Sequence, residues 1–252
     1  MSNQLALNEY RADLHVHTVV SPCADVEMIP PLIVSEALNR GIDIIAITDH
    51  NSVANIESVQ KAAYDTPLTV IPGMEVQTAE DVHVVCLFPG LDQAKEWGDI
   101  VYNHLPDIKN NADYFGEQFI VDETGDFIAY EERLLLTGIS LSFEKAFYEV
   151  SRLGGLFIPA HVNRKAYGLI ENLGFVPFDI PITTLEVSRH ISTEEAIQTY
   201  PQIKNYELIQ NGDVHYLADF SGALHLLMEH RTFDEITMAL TKQQGRSFFI
   251  QY

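Results

Sequence analysis

Short apolar runs alternate with amphipathic stretches along the chain. The run 42–47 is rich in β-branched residues, which is typical of a strand buried on both faces. Strands are predicted at 12–16, 42–47, 68–71, 82–87, 156–158, 184–187 and 206–209, with a terminal extended piece at 247–250. Helices are predicted at 32–39, 52–63, 91–104, 143–152 and 232–241. This alternation indicates an α/β fold in which helices cover a parallel sheet.

The segment 105–140 interrupts this alternation. It is polar and acidic, with a possible short strand at 118–121 and a turn at 123–126. A stretch of this length between regular elements is more often a functional insertion or lid than a simple connection. We therefore expect one domain over residues 1–252, with an insertion near 105–140.

The composition is ordinary for a soluble globular protein, with 46% hydrophobic and 20% charged residues. No apolar run is long enough for a membrane span, and the N-terminus lacks the pattern of a signal peptide. Two cysteines do not make a disulfide framework. These features predict a cytoplasmic protein without a membrane partner.

The formal net charge of −21 comes from 36 acidic residues against 15 lysines and arginines. A surface that binds nucleic acid uses lysine and arginine to displace counterions from phosphates. The negative charge therefore predicts no stable binding to nucleic acid or to an anionic membrane. Bound divalent cations would offset part of this charge.

Metal-ligand residue types stand at the ends of the predicted strands or within them. His15 and His17 are one residue apart on an extended strand, so their side chains point to the same side. The further candidates along the chain are His50, Glu75, His83, His161, Asp213 and His215. An open sheet and a closed barrel both fit the alternation of elements. Convergence of these residues on one point favours a barrel, whose C-terminal rim is the usual place for chemistry.

Six histidines and two carboxylates are too many ligands for one ion, so two or three divalent ions are implied. Nitrogen and oxygen ligands together suit zinc, manganese or iron. Such a site favours hydrolysis. Arg164 and Arg189 follow predicted strands and match the geometry of a substrate phosphate. The alternative is that both arginines pair with acidic residues at the rim.

These motifs resemble the PHP superfamily, the polymerase-and-histidinol-phosphatase phosphoesterases. The motifs that carry the resemblance are His15-x-His17, Asp49-His50, Glu75, His83, His161 and Asp213-x-His215, within roughly residues 11–90 and 150–220. The resemblance implies a distorted (β/α)7 TIM-like barrel that typically holds three metal ions.

The resemblance also implies a role for each ligand. His15 and His17 would bind the first ion with Glu75 and Asp213, and Glu75 would bridge to a second ion. His83 and His161 would hold that second ion, and His50 and His215 the third. Some relatives have a histidine where this chain has Cys23, so either Cys23 binds the third ion or that site is weak or empty. Asp49 would orient a ligand or cap a strand end.

The leading hypothesis is a metal-dependent phosphoesterase that hydrolyses a small phosphorylated substrate. Asp213 is assigned as a catalytic residue as well as a ligand, and His190 or a metal-bound water would protonate the leaving group. An amidohydrolase-like metal-dependent hydrolase also explains His15-x-His17, but it leaves Asp49-His50 and Asp213-x-His215 without a clear place. A non-catalytic metal-binding PHP module is the third hypothesis.

Overall fold

The computed structural model of the protein describes residues 6–251, and its main feature is one curled, mixed sheet flanked by helices. The strands are β1 (Asn8–Val16), β2 (Ile44–Ile47), β3 (Thr69–Gln77), β4 (His83–Leu87), β5 (Phe119–Val121), β6 (Phe127–Tyr130), β7 (Leu156–Pro159), β8 (Thr184–Glu186), β9 (Glu207–Ile209), β10 (Leu224–Met228) and β11 (Ser247–Ile250). The helices are α1 (Pro30–Asn39), α2 (Ile56–Ala62), α3 (Leu91–His104), α4 (Ala112–Phe115), α5 (Phe143–Arg152), α6 (Leu169–Leu173), α7 (Thr193–Thr199) and α8 (Phe233–Leu240).

Seven strands form the main sheet in the order β11-β10-β1-β2-β3-β4-β7, and this sheet curls into half of a barrel. The pairs β5-β6 and β8-β9 form separate two-stranded sheets. Only β1-β2 and β2-β3 are parallel within the main sheet of the described chain, whereas its other pairings are antiparallel. The sheet is therefore mixed rather than parallel, and the strict alternation of a (β/α)7 barrel is not seen in residues 6–251.

The long strand β3 explains the change of direction. Its first half pairs with β2 and its second half with β4, and the two halves meet at Pro72 and Gly73. A Cβ atom on Gly73 would lie 2.8 Å from Leu87 Cδ2 and 2.9 Å from the Cys86 carbonyl oxygen. The loop from β3 to β4 is too short for a parallel crossover, so β4 returns antiparallel. The sequence analysis predicted that this strand ends at residue 71, so it did not predict the antiparallel hairpin that β3 forms with β4.

Both faces of the main sheet are buried. One face, which includes Ile45, Ile47 and Val84, packs in a cluster with residues of α1, α2, α3 and α5. Cys86 is fully buried in that cluster, as its apolar run predicts. The other face, which includes Leu14, packs with residues of α8. The strand ends that carry polar residues are thus held between two apolar layers.

The segment 105–140 contains α4 and the β5-β6 hairpin, and it is tied to the body of the protein by side-chain amides. Asn55 donates to the Phe119 carbonyl and accepts from the Val121 amide, both at 3.0 Å. Asn51, directly after His50, donates to the carbonyls of Leu135 and Thr137 at 2.7 and 2.9 Å. The predicted insertion is therefore fixed beside the strand end that carries His50.

Within residues 6–251, no helix has the length and apolar character needed to cross a lipid bilayer.

Candidate metal centre

The end of β1 brings two imidazoles together. His15 and His17 are both fully buried, and their ring centroids are 5.1 Å apart. The Nε2 atoms of both rings lie 3.4 Å from Glu75 Oε2. They also lie 3.5 and 3.6 Å from Asp213 Oδ1. His15 on β1 and His17 directly after it thus face two carboxylates that come from distant parts of the chain.

Glu75 stands at the centre of the histidine cluster. Its Oε1 atom is 3.0 Å from His83 Nδ1 and 3.1 Å from His161 Nε2. Its Oε2 atom is 3.1 Å from His50 Nδ1. His83 is the first residue of β4, so the antiparallel return of that strand brings it back to the edge where Glu75 lies.

Backbone contacts hold the surrounding loops in place. Val214 forms an isolated bridge with Val16 and donates to the His15 carbonyl at 3.0 Å, which fixes the loop carrying Asp213. His50 forms a similar bridge with Glu75. Asp213 has a positive φ of 48°, and aspartate tolerates this left-handed conformation better than most residues.

A buried carboxylate that the sequence analysis did not single out orients His15. Both oxygens of Glu186, the last residue of β8, lie 3.1 Å from His15 Nδ1. The same carboxylate accepts from the His161 amide at 3.1 Å and from Asn211 Nδ2 at 2.7 Å. Because a proton on Nδ1 would bond to Glu186, the Nε2 lone pair of His15 is left to face the cluster.

His17 is oriented through a hydroxyl group. Its Nδ1 lies 3.2 Å from Ser21 Oγ, and Ser21 Oγ donates to Asp49 Oδ1 at 2.7 Å. Asp49 also accepts from the backbone amide and the hydroxyl of Thr18. Asp49 therefore contacts the loop after β1, and it reaches the His17 ring through Ser21.

Three groups of side chains among residues 6–251 place their ligand atoms within 4.8 Å of one another. These groups are His15, His17 and Asp213; His17, His50 and His215; and His50, Glu75 and His83. His161 lies outside the three groups, although its Nε2 atom contacts Glu75. Cys23 is exposed and also lies outside the groups, so the structure does not place its thiol with the histidines of the expected third site.

Several buried atoms of the cluster have no hydrogen-bond partner. They are His15 Nε2, His17 Nε2, Glu75 Oε2, His83 Nε2 and His161 Nδ1. A buried polar atom without a partner is costly, and such atoms in native structures call for an explanation such as a bound ion. The donor set of imidazole nitrogens and carboxylate oxygens fits divalent transition metals.

The electrostatics of the cluster suit cation binding. Burial opposes the charged form of His15, but Glu186, Glu75 and Asp213 hold its pKa well above the ordinary value. Burial likewise opposes the charged form of Asp213, but His15 and His17 hold its pKa well below the ordinary range. Burial lowers the pKa of His215 to about 4, and the neighbouring His17 adds to this shift. The carboxylates that raise the pKa of His15 would also attract a divalent cation, and the lowered pKa leaves His215 neutral, which is the form of an imidazole that binds a metal.

The cluster opens into a cleft with two lobes. The polar lobe, a cavity of about 280 Å³, is lined by Ser188, Arg189, His190 and Tyr216. The aromatic lobe, a cavity of about 300 Å³, is lined by Phe115, Leu136, Ala166 and Tyr167. The residues common to both linings are Cys23, His161, Arg164, Asp213 and His215. Three candidate ligands, His161, Asp213 and His215, therefore lie where the two lobes meet, whereas His50, Glu75 and His83 line the aromatic lobe alone.

The predicted phosphate-binding arginines both point at acidic partners. Arg164 Nη1 donates to Asp213 Oδ2 at 2.6 Å, at the junction of the lobes. Arg189 donates to Asp219 Oδ1 at 2.7 Å and to the Asp219 carbonyl at 2.9 Å. His190 is exposed in the polar lobe. The structure thus places Arg164, Arg189 and His190 at the cleft, while the two guanidinium groups already pair with acids.

Three supporting residues were missed by the sequence analysis, namely Ser21, Glu186 and Asn211. Glu186 carried a signal, because a carboxylate within the apolar run Leu185-Glu186-Val187 needs a buried partner. Asn211 precedes the Asp213-x-His215 motif and was detectable only by that proximity. Ser21 lies in a loop whose sequence gave no such signal.

Comparisons with known proteins identify the family of the chain. A family model described as the PHP domain matches residues 13–167. A 5'-3' exoribonuclease from Haemophilus influenzae is 31% identical over 78 residues, which cover 30% of this chain and 27% of that protein. The chain therefore spans about a quarter of the length of this curated relative.

Solved structures share the fold. Endonuclease Q from Pyrococcus furiosus, described as lesion-specific, matches with a TM-score of 0.72 and 20% identity over 96% of this chain and 58% of that chain. A putative metal-dependent phosphoesterase from Bifidobacterium adolescentis matches with a TM-score of 0.58 and 18% identity, over 92% of this chain and 96% of that chain. At these identities the likeness establishes the fold alone.

One of these comparisons corrects the expectation about nucleic acid. A structure of endonuclease Q with a 27-mer duplex, which has an abasic lesion at the active site, matches with a TM-score of 0.70 and 19% identity over 95% of this chain and 58% of that chain. A protein with this fold thus binds DNA, so excluding nucleic acid on net charge was wrong. Net charge averages over the whole surface, whereas a phosphate meets the local charge of a cleft.

Proposed function

Because this chain belongs to the PHP domain family, we propose that it is a metal-dependent phosphoesterase with two or three divalent ions in the candidate centre. The observation that carries the proposal is the set of unpartnered nitrogen and oxygen atoms around Glu75. These atoms belong to the residue types that hold zinc, manganese or iron. Native metal content is therefore the first quantity to measure.

The proposed ligand assignment rests on the family resemblance and on the contacts of Glu75 with His15, His17, His83 and His161. His15 and His17 would hold one ion with Asp213 and Glu75. His83 and His161 would hold a second with the other Glu75 oxygen, and His50 and His215 a third. Cys23 lines both lobes but lies outside the three groups of ligand atoms, so it is the weakest candidate for that third ion. When bound, divalent ions activate water and polarise a phosphoryl oxygen.

The remaining roles are assigned to the chain's own side chains. Arg164 lies at the junction of the lobes, where its guanidinium would neutralise phosphoryl oxygens as the P–O bond to the leaving group breaks. Arg189 would bind a further anionic group in the polar lobe. His190 is assigned to protonate the departing oxygen, because it is exposed in the same lobe.

The substrate is proposed to be a phosphate ester that reaches the cluster through the two-lobed cleft. The cavity volumes of about 280 and 300 Å³ suit a small phosphorylated molecule or a short portion of a longer chain. The name of the Haemophilus influenzae relative and the DNA complex of endonuclease Q support nucleic-acid phosphodiesters as one substrate class.

Substitution of single ligands tests the proposed function. We expect Asp213→Asn and His17→Ala each to abolish hydrolysis of a phosphoester panel, because each removes a ligand next to Glu75. His230→Ala is the matched control, since His230 is exposed and outside both lobes. Circular dichroism would establish that the variants are folded.

Metal analysis completes the test. Plasma mass spectrometry of protein purified without chelator or metal-binding tag should find about two to three equivalents of zinc, manganese or iron. Metal content below one equivalent that added metal does not restore would overturn the assignment of the centre. Hydrolysis of amides without hydrolysis of any phosphoester would favour the amidohydrolase-like alternative.

A further inference from the structure

The aromatic lobe is built around a tyrosine that is held in one position. The Tyr167 ring stacks on His83 with centroids 4.4 Å apart and an interplanar angle of 2°. The Tyr167 carbonyl accepts from the His83 amide at 3.0 Å. The residue is 44% exposed, and it lines the aromatic lobe. One side of the ring is thus supported by a candidate metal ligand, while the residue remains accessible from the lobe.

The backbone around Tyr167 is strained and tightly turned. Tyr167 has a positive φ of 60°, which is unusual for a residue other than glycine. A Cβ atom on the next residue, Gly168, would lie 2.1 Å from the Arg164 carbonyl oxygen. Strained conformations persist only where the surrounding structure determines them, and they cluster at functional sites. The turn 164–168 therefore presents both Arg164 and Tyr167 to the cleft.

The segment 105–140 supplies the apolar wall of the same lobe through Phe115 and Leu136. Next to Phe115, a Cβ atom on Gly116 would lie 2.5 Å from the Pro22 carbonyl oxygen, so this part of the segment lies directly against the loop after β1. Asn51 binds the carbonyls of Leu135 and Thr137, on either side of Leu136. The wall is thus fixed to the loops that carry the candidate ligands.

We propose that the aromatic lobe binds a nucleobase of a phosphodiester substrate, stacked against Tyr167 and packed on Phe115 and Leu136. The polar lobe would then receive the sugar-phosphate on the other side of the scissile phosphate, near Arg189 and His190. A planar group suits the aromatic lobe, because the Tyr167 ring is accessible for stacking and Phe115 and Leu136 form an apolar wall beside it. This inference rests on the proposed phosphoesterase function and names its substrate class.

Base stacking is separable from phosphate chemistry by experiment. The probes are the dinucleotide TpT and two analogues in which one base or the other is replaced by hydrogen. All three carry the same scissile diester and the same charge. With the metal-loaded enzyme, we expect loss of the base that occupies the lobe to lower kcat/KM by about tenfold or more, since bases stack strongly on aromatic side chains.

Variants of residues that line the aromatic lobe test whether this lobe causes the difference in kcat/KM between the dinucleotides. Tyr167→Ala should remove it, Phe115→Ala should weaken it, and Tyr167→Phe should retain it because the ring remains. Tyr148→Ala is the matched control, since Tyr148 is an exposed tyrosine of α5 outside both lobes. Phe115 belongs to α4 in the segment 105–140, which carries none of the candidate ligands, so its variant separates base binding from displacement of His83.

The outcomes distinguish the two proposals. Equal kcat/KM for all three dinucleotides, or discrimination that persists in both Tyr167→Ala and Phe115→Ala, overturns the nucleobase site and leaves the phosphoesterase in place. Hydrolysis of bis(p-nitrophenyl) phosphate without cleavage of any dinucleotide has the same meaning. Failure of the metal-loaded protein to hydrolyse any phosphoester overturns both proposals.

Discussion

The contact between Glu186 and His15 connects the two-stranded β8-β9 sheet to the metal-ligand cluster. Both residues are buried, and the carboxylate also receives a hydrogen bond from Asn211. A carboxylate on the far nitrogen of a metal-binding histidine fixes the orientation of the ring and raises its basicity. The position of one residue on β8 therefore governs a ligand on β1.

We predict that Glu186→Gln weakens metal binding by about 10- to 100-fold, the usual cost of losing such a partner. The glutamine retains the size of the side chain but removes the negative charge beside His15. Isothermal titration of the apo-protein with zinc or manganese measures the affinity directly. Glu171→Gln, at an exposed position of α6, serves as the control. Equal affinities for Glu186→Gln and the unmodified protein would mean that Glu186 has no orienting role.

The sequence identified the candidate metal ligands, because their residue types form motifs that follow one another along the chain. His15, His17, Glu75 and Asp213 were chosen from the sequence. In the structure, the Nε2 atoms of the two histidines lie 3.4–3.6 Å from the carboxylate oxygens of Glu75 and Asp213. Support residues were harder to detect, because their role depends on contacts across the chain. Glu186 and His15 are 171 positions apart, and no local pattern connects them.

At the scale of elements, Asn55 fastens the segment 105–140 to the body of the protein. Its side-chain amide binds the Phe119 carbonyl and the Val121 amide of β5, as a neighbouring strand would. Ser58, one turn further along, donates to the Val121 carbonyl at 2.7 Å. The wall of the aromatic lobe thus depends on polar contacts with the region of α2.

We predict that Asn55→Ala loosens this segment while the main sheet stays folded. The substitution leaves two backbone groups of β5 without partners, at a cost of about 1–3 kcal/mol for each buried group. Hydrogen exchange measured by mass spectrometry should show faster exchange in residues 112–137 than in β1 or β2. Asn103→Ala, at an exposed position of α3, is the control. Exchange that increases equally across the whole chain would contradict a local effect.

The bounds of helices and strands were predicted well where the hydrophobic periodicity and the positions of glycine and proline indicated the same ends. The bounds of α3, α5 and β11 match the prediction, and β1, β4 and β7 differ from it by a few residues at one end. β10 was not predicted, although it pairs with β1 along five residues. The larger error was the direction in which strands pair, because apolar runs look alike in parallel and antiparallel strands. The change of direction at Gly73 depends on packing against Leu87, which the sequence does not show.

At the scale of the whole molecule, this acidic protein buries the positively charged side chain of Arg246. Arg246, just before β11, donates to Glu235 Oε1 and to Glu229 Oε2, both at 2.7 Å. This network joins α8 to the antiparallel pair of β10 and β11, which extends the sheet beyond β1. The hydrogen bonds from Arg246 hold the pKa of Glu235 below its ordinary value.

The last prediction concerns the pH dependence of stability. Because the folded-state pKa of Glu235 is lowered, its contribution is present above the unfolded value of about 4.5 and is lost as the pH falls through the folded value. We expect Glu235→Gln to reduce the free energy of unfolding by about 2 kcal/mol at neutral pH, because it replaces an ionised hydrogen-bond acceptor of Arg246 by a neutral one while Glu229 still pairs with Arg246. The difference from the unmodified protein should shrink as the pH falls below about 4.

Urea denaturation of both proteins across this pH range, in the same chelator, measures the difference while removing metal effects from the comparison. Glu149→Gln is the control, because Glu149 pairs with Arg152 on the exposed surface, where an ion pair contributes about 0–1 kcal/mol. A stability difference for Glu235→Gln that stays constant between neutral and acidic pH would show that packing, rather than the ionised carboxylate, holds the β10-β11 edge to α8.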